Sequence, residues 1–484
     1  MSGYGFNFDN SYINLPKVFY TELSPSPVRN PVMVLFNSSV AKDLGLNLSA
    51  IKPEDKAALF SGNVLPKDTR PFAQAYAGHQ FGNFTILGDG RAVMMGEHIS
   101  PSDHRFDIQF KGSGPTPYSR GADGRAALGP MLREYIISEA MHALNIPTTR
   151  SLAVVSNGEN VYREKALPGA VLTRVSSSHI RVGTFEYAAF HNDKSITGAL
   201  VDYTIKRHYS KIEGKQNNPL LLLKAVIEKQ VDLIIHWMRV GFIHGVMNTD
   251  NMVLSGETID YGPCAFMDSY NTRTVFSSID HRGRYCYGNQ PAIAQWNLAR
   301  LGETIFPLLN DEYKNAKDLI EEAVNDFGIQ YEEKWFSMMR SKLGLIEKQE
   351  GDQKLITDLL QWMQSEEIDY TNTFLYLMGD KTPDEKPYAD IIFKEWHDRW
   401  KIQIAKSDNS FKSSLVLMRA SNPSVIPRNH IIEKVLNDAT DGDMKPFNNF
   451  LKVLQAPYSN HSELKNYQSP PNKDERVCET FCGT

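Results

Sequence analysis

Apolar residues change their rhythm twice along this chain. Up to about residue 70 the apolar runs are short and broken by Pro and Asn, as in Leu23-Ser-Pro-Ser-Pro-Val-Arg-Asn-Pro31, which predicts an irregular N-terminal extension. From Gly82 onward the runs become strand-like: Phe84-Thr-Ile-Leu87, Ala92-Val-Met-Met95 and Phe106-Asp-Ile-Gln-Phe110, with Gly88-Asp89-Gly90 as a hairpin turn between the first two. A helix is predicted over Pro130 to Asn145. Leu132, Tyr135, Ile136, Ala140 and Leu144 recur at helical spacing, Pro130 lies in the first turn, and Pro147 stops it. Short strands follow near Ser151 to Val155 and Ala170 to Val175. Beyond about Leu220 the period becomes helical, and after residue 310 helices dominate. The tail from Pro457, rich in Pro, Asn, Ser and Lys, reads as loosely held. Four parts are expected: an extension over 1–70, a strand-rich lobe over 71–175, a helical lobe over 176–345, and a helical C-terminal extension with a cysteine-bearing tail over 346–484.

Composition narrows the classes. With 484 residues, 41% hydrophobic and 23% charged, the chain has globular proportions and material for more than one lobe. A net charge of -5 supplies no broad basic field, which argues against nucleic-acid binding through phosphate contacts. The most apolar long stretch, Pro219 to Met238, carries Lys224, Glu228, Lys229 and Asp232, so no membrane span is expected. The N-terminal residues show no signal-peptide pattern. Four cysteines are too few for a disulfide framework, and a cytoplasmic monomer is the expectation.

Chemistry concentrates in His244-Gly-Val-Met-Asn-Thr-Asp-Asn251 and, nine positions on, Asp260-Tyr261-Gly262. The segment reads like a protein-kinase catalytic loop and its metal-binding triplet with one part replaced. In H-R-D-x-x-x-x-N the Asp takes the proton of the attacking hydroxyl and the Asn holds a metal. Valine stands in the Asp position here, at Val246, and cannot accept a proton. Asp250 is the carboxylate within the loop. Met252 to Leu254 and Thr258-Ile259 read as a tight hairpin that brings Asn251 and Asp260 together, an amide oxygen and a carboxylate suited to Mg²⁺ alongside nucleotide phosphates. His244 reads as a structural anchor. Zinc is unsupported, since Cys478 and Cys482 form one pair without a second.

Upstream, the strand Phe106 to Lys111 ends in a lysine, and Glu134 on the following helix is spaced to pair with it, with Glu139 as a competitor. The turn Gly88-Asp89-Gly90-Arg91 and the loop Gly112 to Arg125, with Arg120, Asp123, Gly124 and Arg125, offer glycine backbone and guanidinium groups to phosphates. Arg174 and Arg181 flank a strand-to-turn junction where the lobes should meet. A strand-rich lobe followed by a helical one, with the motifs between them, predicts an α+β, protein-kinase-like bilobal fold with N- and C-terminal extensions.

Together these segments resemble the selenoprotein O family. The resemblance runs from about Leu15 to the C-terminal cysteine. It is carried by Arg70-Pro-Phe-Ala-Gln-Ala-Tyr-Ala-Gly-His-Gln-Phe-Gly82, Gln109-Phe-Lys-Gly-Ser-Gly-Pro-Thr-Pro-Tyr-Ser-Arg120, Ile146-Pro-Thr-Thr-Arg150 and His244 to Gly262. It implies a pseudokinase that places AMP from ATP (UMP has also been described) on Ser, Thr or Tyr side chains of proteins, with the nucleotide inverted in the cleft. Position by position it implies Asp250 as the base, and Asn251 and Asp260 as ligands of Mg²⁺ or Mn²⁺. It implies nucleotide contacts at Gly88, Gly90, Arg91, Lys111, Asp123, Gly124, Arg174, Arg181 and Asp260, with Lys111 paired to Glu134. The family's C-terminal selenocysteine or cysteine matches Cys482. A reversible Cys264–Cys482 disulfide, with Cys478 as the alternative partner, would then tie the tail over the site. Two other readings stand beside this one: a small-molecule phosphotransferase of aminoglycoside-kinase type and a non-catalytic nucleotide sensor.

Overall fold

Alternation along Phe106 to Lys111 divides the first half of the molecule into two layers. In the computed structural model, which describes residues 4–309, 314–380, 382–406, 410–459 and 464–481, this segment is the centre of an antiparallel sheet. Its strands are β1 (Tyr20–Glu22), β2 (Val32–Phe36), β3 (Phe72–Gln74), β6 (Ala92–Ile99), β7 (Arg105–Lys111), β8 (Ala126–Ala127), β9 (Arg150–Tyr162) and β10 (Ala166–Ser176). Their order is β1-β3-β6-β7-β10-β9-β2, with β8 on the side of β10. Two further strands, β4 (Ala77–Gln80) and β5 (Asn83–Ile86), form a separate ribbon.

Successive residues of a strand point to opposite faces, and here the two faces meet different cores. Met95, Ile108, Phe110, Val155 and Val171 pack beneath the helices α1 (Ser38–Asp43) and α2 (Pro53–Phe60), together with Leu59 and Phe60. Their neighbours Met94, Val154 and Leu172 face the other way and join the larger core under α3 (Leu128–Ala143). Asp107, Gln109 and Lys111 share that second face, so β7 turns a polar, buried row toward the interior. The first 70 residues are therefore more ordered than their composition predicts. They supply two sheet strands, and α2 and Leu48 close the outer core.

The helical part begins with α4 (Val182–Phe190), α5 (Lys194–His208) and α6 (Asn218–Val240). Gly241, at φ 73, ends α6 and turns the chain into β11 (Phe242–Ile243), which pairs with β12 (Ala265–Phe266) on either side of the 244–264 segment. The long helices α7 (Gln290–Leu309) and α8 (Ala316–Lys342) pack on α6. Then follow α9 (Asp352–Ser365), α10 (Tyr370–Leu377), α11 (Ile391–Ala405), α12 (Phe411–Ser421), α13 (Asn429–Thr440) and α14 (Met444–Leu454). Helix α13 returns across the molecule to lie on α3. No helix among the described residues is long and apolar enough to cross a membrane.

Three local expectations differ from the structure. Phe84 pairs with His79 in the β4–β5 ribbon, not with β6, so Gly88-Asp89-Gly90 carries the chain from the ribbon into the sheet and is not a hairpin turn. Buried Asp89 directs this course: its amide donates to the Gln74 carbonyl (2.9 Å) and its carboxylate accepts from the Gln74 amide (3.0 Å). Met252 to Ile259 is not a self-paired hairpin either. Val253 bridges Arg181 and Thr258 bridges Thr148, because each half finds a partner in another element. The tail is held: Thr480 Oγ1 donates to the Pro263 carbonyl (2.6 Å), and its amide donates to that of Phe276 (2.6 Å).

Candidate active site

Lys111 ends β7 on its polar face, and Arg174 lies opposite Gln109 on the adjoining β10. Both side chains therefore project from the sheet toward the helical part, into a cavity of about 800 Å³. Lys111 Nζ donates to Glu134 Oε2 of α3 (2.5 Å) and to Asp260 Oδ1 (2.7 Å). Arg174 Nη1 reaches the same two carboxylates, Asp260 Oδ1 at 2.9 Å and Glu134 Oε1 at 3.2 Å, while Gln109 Oε1 accepts from its Nε and Nη2. Glu139, the competing partner for Lys111, is taken by Arg150 at 2.7 Å. It sits five residues further along α3, on a different face of the helix.

Arg181, just before α4, completes the cluster. Its guanidinium lies over the Tyr76 ring at 4.3 Å, donates to the Asp250 carbonyl at 3.0 Å, and stands 3.8 Å from both Asp260 and Asp89. Burial alone would favour a protonated Asp260. Lys111, Arg174 and Arg181 outweigh it and hold this carboxyl well below the usual range. Asp260 has φ 63, a conformation that costs a non-glycine residue roughly 1–3 kcal/mol. The ion pairs hold it there, between the cations.

Asp250 lies in the 3₁₀ turn Thr249–Asn251 and is pressed between two glycines. A Cβ on Gly78 of β4 would stand 2.2 Å from Asp250 Oδ1. A Cβ on Gly183 of α4 would stand 2.0 Å from the Ala77 carbonyl oxygen and 3.3 Å from Asp250 Cα. Burial raises the Asp250 carboxyl to about 6, against the opposing pull of Arg181. Its Oδ1 is buried against Gly78 without a hydrogen-bond partner among the described residues, and Asp250 lines the cavity. A carboxylate in that condition is chemically a proton acceptor waiting for a donor.

Asn251 donates from Nδ2 to the Val246 carbonyl at 3.0 Å, which leaves its amide oxygen as the acceptor at the cavity wall. With Asp260 it offers hard oxygen donors, the type that fits Mg²⁺ or Mn²⁺. No cluster of three His, Cys, Asp or Glu that could hold a metal exists among the described residues. A cation here would complete its shell from phosphate oxygens and water. Val246 is almost fully buried at the cavity wall, and buried His244 hydrogen-bonds the Ile259 carbonyl at 2.9 Å, tying the two halves of the motif together.

The glycine-rich segments form a double layer at the opposite wall. A Cβ on Gly88 would meet Tyr118 at 2.4 Å, and one on Gly90 would meet the Tyr118 carbonyl at 2.9 Å. Thr116 Oγ1 donates to the Asp89 carbonyl (2.7 Å) and Ser119 Oγ donates to that of Gly90. The 112–125 loop is thus folded over the 88–91 turn, and both line the cavity. Gly124, at φ 63, packs against Gly114. Asp123 is paired with Arg163 at 2.9 Å, and Arg125 donates to the carbonyls of Ser26 and Pro27. Arg91 and Arg120 line the cavity with no carboxylate partner among the described residues. Glu433, Leu436 and Asn437 of α13 close the outer side, with Phe481 of the tail.

Several participants carried no signal in the chain's local patterning. Asp89 is buried between Gln74, Gln109 and Arg181, and burial raises its carboxyl to about 6. Arg133 of α3 donates to the Gly262 and Cys264 carbonyls and pairs with Glu433. Tyr76, Gly78 and His79 fall inside the 70–82 stretch, whose chemistry shows only once β4 is seen against Asp250. Cys264 is fully buried, its thiol pushed up to about 12 by burial. Cys482 lies outside the described residues.

A sequence profile described as protein adenylyltransferase SelO matches residues 4–455. The chain is 56% identical over 481 residues to the protein nucleotidyltransferase YdiU of Nitrosococcus oceani, covering 99% of this chain and 98% of that protein. It is 53% identical over 484 residues to the YdiU of Alcanivorax borkumensis, covering the whole of both. With the YdiU of Bacillus thuringiensis it shares 54% identity over 481 residues, 99% of each chain. By the profile match and by these full-length relatives, the chain belongs to the SelO family of protein adenylyltransferases.

Proposed function

We propose that this protein transfers AMP from ATP to hydroxyl side chains of other proteins, releasing pyrophosphate, and that the cavity between sheet and helices is where it does so. The frame is kinase-like and bilobal, with residues 71–175 as the strand-rich lobe, 176–345 as the helical lobe, and 1–70 and 346–484 as the extensions. The observation that carries the reading is the convergence of Lys111, Arg174 and Arg181 on Asp260, beside a second carboxylate, Asp250, that has an unmatched oxygen.

Asp250 accepts the proton of a Ser, Thr or Tyr hydroxyl as that oxygen attacks the α-phosphorus. The bond from the α-phosphorus to the bridging oxygen breaks, and its electrons leave with pyrophosphate. Lys111, Arg174 and Arg181 stabilise the charge gathered on the leaving group, as preorganised donors do for any developing anion. Glu134 keeps Lys111 and Arg174 aimed into the cavity. Asn251 and Asp260 would hold a divalent cation, Mg²⁺ or Mn²⁺, which when bound would supply positive charge to the reacting phosphates. Gly88, Gly90, Arg91, Asp123 and Gly124 contact the nucleotide from the double-layered wall. Val246 supports transfer of a nucleotide over transfer of the γ-phosphate: the position from which a kinase's base acts has no proton acceptor. UTP presents the same phosphates, and competition between ATP and UTP measures the base preference.

Product analysis tests this. With ATP, Mg²⁺ and a bacterial protein extract freed of pyrophosphatase and ATPase activity, pyrophosphate should accumulate and ADP should not, and EDTA or Asp250→Ala should stop it. ADP as the primary product, with phosphate carried on the acceptor, would contradict the proposal in favour of phosphotransfer. Tight ATP binding with no product would favour a nucleotide sensor.

A further inference from the structure

Behind Asp250, on the side away from the cavity, three side chains from three elements close a hydrogen-bonded ring. Glu186 of α4 accepts from Thr249 Oγ1 at 2.5 Å and pairs with His79 Nδ1 of β4 at 2.5 Å. The His79 amide in turn donates to Thr249 Oγ1 at 2.6 Å. With its carboxylate ionised, Glu186 accepts at both oxygens, which assigns the His79 proton to Nδ1. Glu186 and Thr249 are buried, and the His79 ring is fixed by edge contacts with Phe84 (5.5 Å) and Trp296 (5.4 Å). None of the three lines the cavity.

A carboxylate withdrawn from water is costly unless its acceptor sites are filled. Glu186 fills both oxygens with donors from the two segments that flank Asp250. Gly78, next to His79, leaves no room for a Cβ beside Asp250 Oδ1, and a Cβ on Gly183, one turn before Glu186, would stand 3.3 Å from Asp250 Cα. The ring therefore ties together the strand, the helix and the turn that enclose the Asp250 carboxylate. It contributes no atom to the reaction.

We propose that Glu186, His79 and Thr249 are positioning residues that fix the direction of the Asp250 carboxylate toward the acceptor hydroxyl. The inference rests on Asp250 being the proton acceptor. A misplacement of about 1 Å in a reacting group can lower a rate about 100-fold while leaving ground-state binding intact. Loss of the ring should therefore act on kcat and spare nucleotide affinity.

The test uses the full chain carrying Glu186→Gln, Glu186→Ala, His79→Ala, Thr249→Val or Thr249→Ser, with Asp250→Ala as reference. Transfer is followed with α-labelled ATP, Mg²⁺ and a bacterial protein extract. Nucleotide affinity is measured separately with the α,β-methylene analogue of ATP. Thr249→Val and Glu186→Ala should lower kcat about 100-fold, with the analogue's Kd within about threefold of the parent and Thr249→Ser close to parent kcat. Glu186→Gln keeps one acceptor oxygen and should fall between. Should Glu186→Ala fail to fold, Thr249→Val and Thr249→Ser still decide the matter. Parent-like kcat in Thr249→Val and Glu186→Gln, or equal losses in kcat and analogue affinity, would overturn the inference while Asp250→Ala remains inactive. Full transfer by Asp250→Ala would overturn it together with the proton-acceptor reading. A parent that binds the analogue but transfers nothing would refute the transferase itself.

Discussion

At the scale of single residues, the site depends on places where one atom more or one charge less has no room to be absorbed. Gly78 is the sharpest case. A methyl group there would overlap Asp250 Oδ1, and the obstacle is the proposed proton acceptor itself. Gly78→Ala should fold, keep the affinity for an unreactive ATP analogue, and lose transfer about 100-fold, as expected for a reacting group displaced by an ångström. Comparison of the rate with the analogue's Kd checks it. Asp260→Asn keeps the shape and removes the charge that offsets Lys111, Arg174 and Arg181. Breaking a buried ion pair on one side costs about 3 kcal/mol or more, so the urea midpoint should drop as transfer disappears. An Asp260→Asn protein with parental stability and activity would contradict both the charge cluster and the metal-ligand role.

At the scale of elements, α3 is the arm that aligns the sheet with the motif segment. Glu134 points to the sheet cations, and its neighbour Arg133 points across to the Gly262 and Cys264 carbonyls and to Glu433 of α13. Arg133→Met keeps the stem and loses those bonds. It should cost about 2 kcal/mol and speed amide exchange over residues 260–265 more than elsewhere, as read by hydrogen-exchange mass spectrometry. How far such elements could be read in advance depended on where their partners lie. β7 and α3 were legible because alternation and helical spacing are local, and Lys111 and Glu134 followed from them. The β4–β5 ribbon was not, because Ala77-Gly-His-Gln80 carries no apolar alternation. Nor was the course of Met252 to Ile259, since its partners (Val253 with Arg181, Thr258 with Thr148) are distant in the chain. The ring behind Asp250 was illegible for the same reason: Glu186 lies 107 residues from His79 and 63 from Thr249. The two outer strands from the first 70 residues were hidden by Pro and Asn, although the sheet needs them to seal its outer core.

At the scale of the whole molecule, stability should carry a signature of buried histidines. Burial, only partly offset by the Asp107 carboxylate, lowers His179 to about 4. In the unfolded chain a histidine titrates near its ordinary value of about 6.5. The unfolded state therefore binds more protons between these values, and stability falls as pH drops from about 6.5 toward 4. His179→Gln removes this term. The difference in unfolding free energy between parent and variant should shift by about 2 kcal/mol between pH 7 and pH 5, read from urea titrations at the two pH values. A difference independent of pH would mean that His179 titrates in the fold as it does in the unfolded chain. Which bond of ATP is broken can be read directly from where a label ends up. The protein is incubated with Mg²⁺ and a bacterial protein extract, in parallel with ATP labelled at the α- or the γ-phosphate. Label should remain on protein from the α position alone, and Asp250→Ala should abolish it. Label arriving from the γ position would mean that the protein transfers phosphate and not AMP.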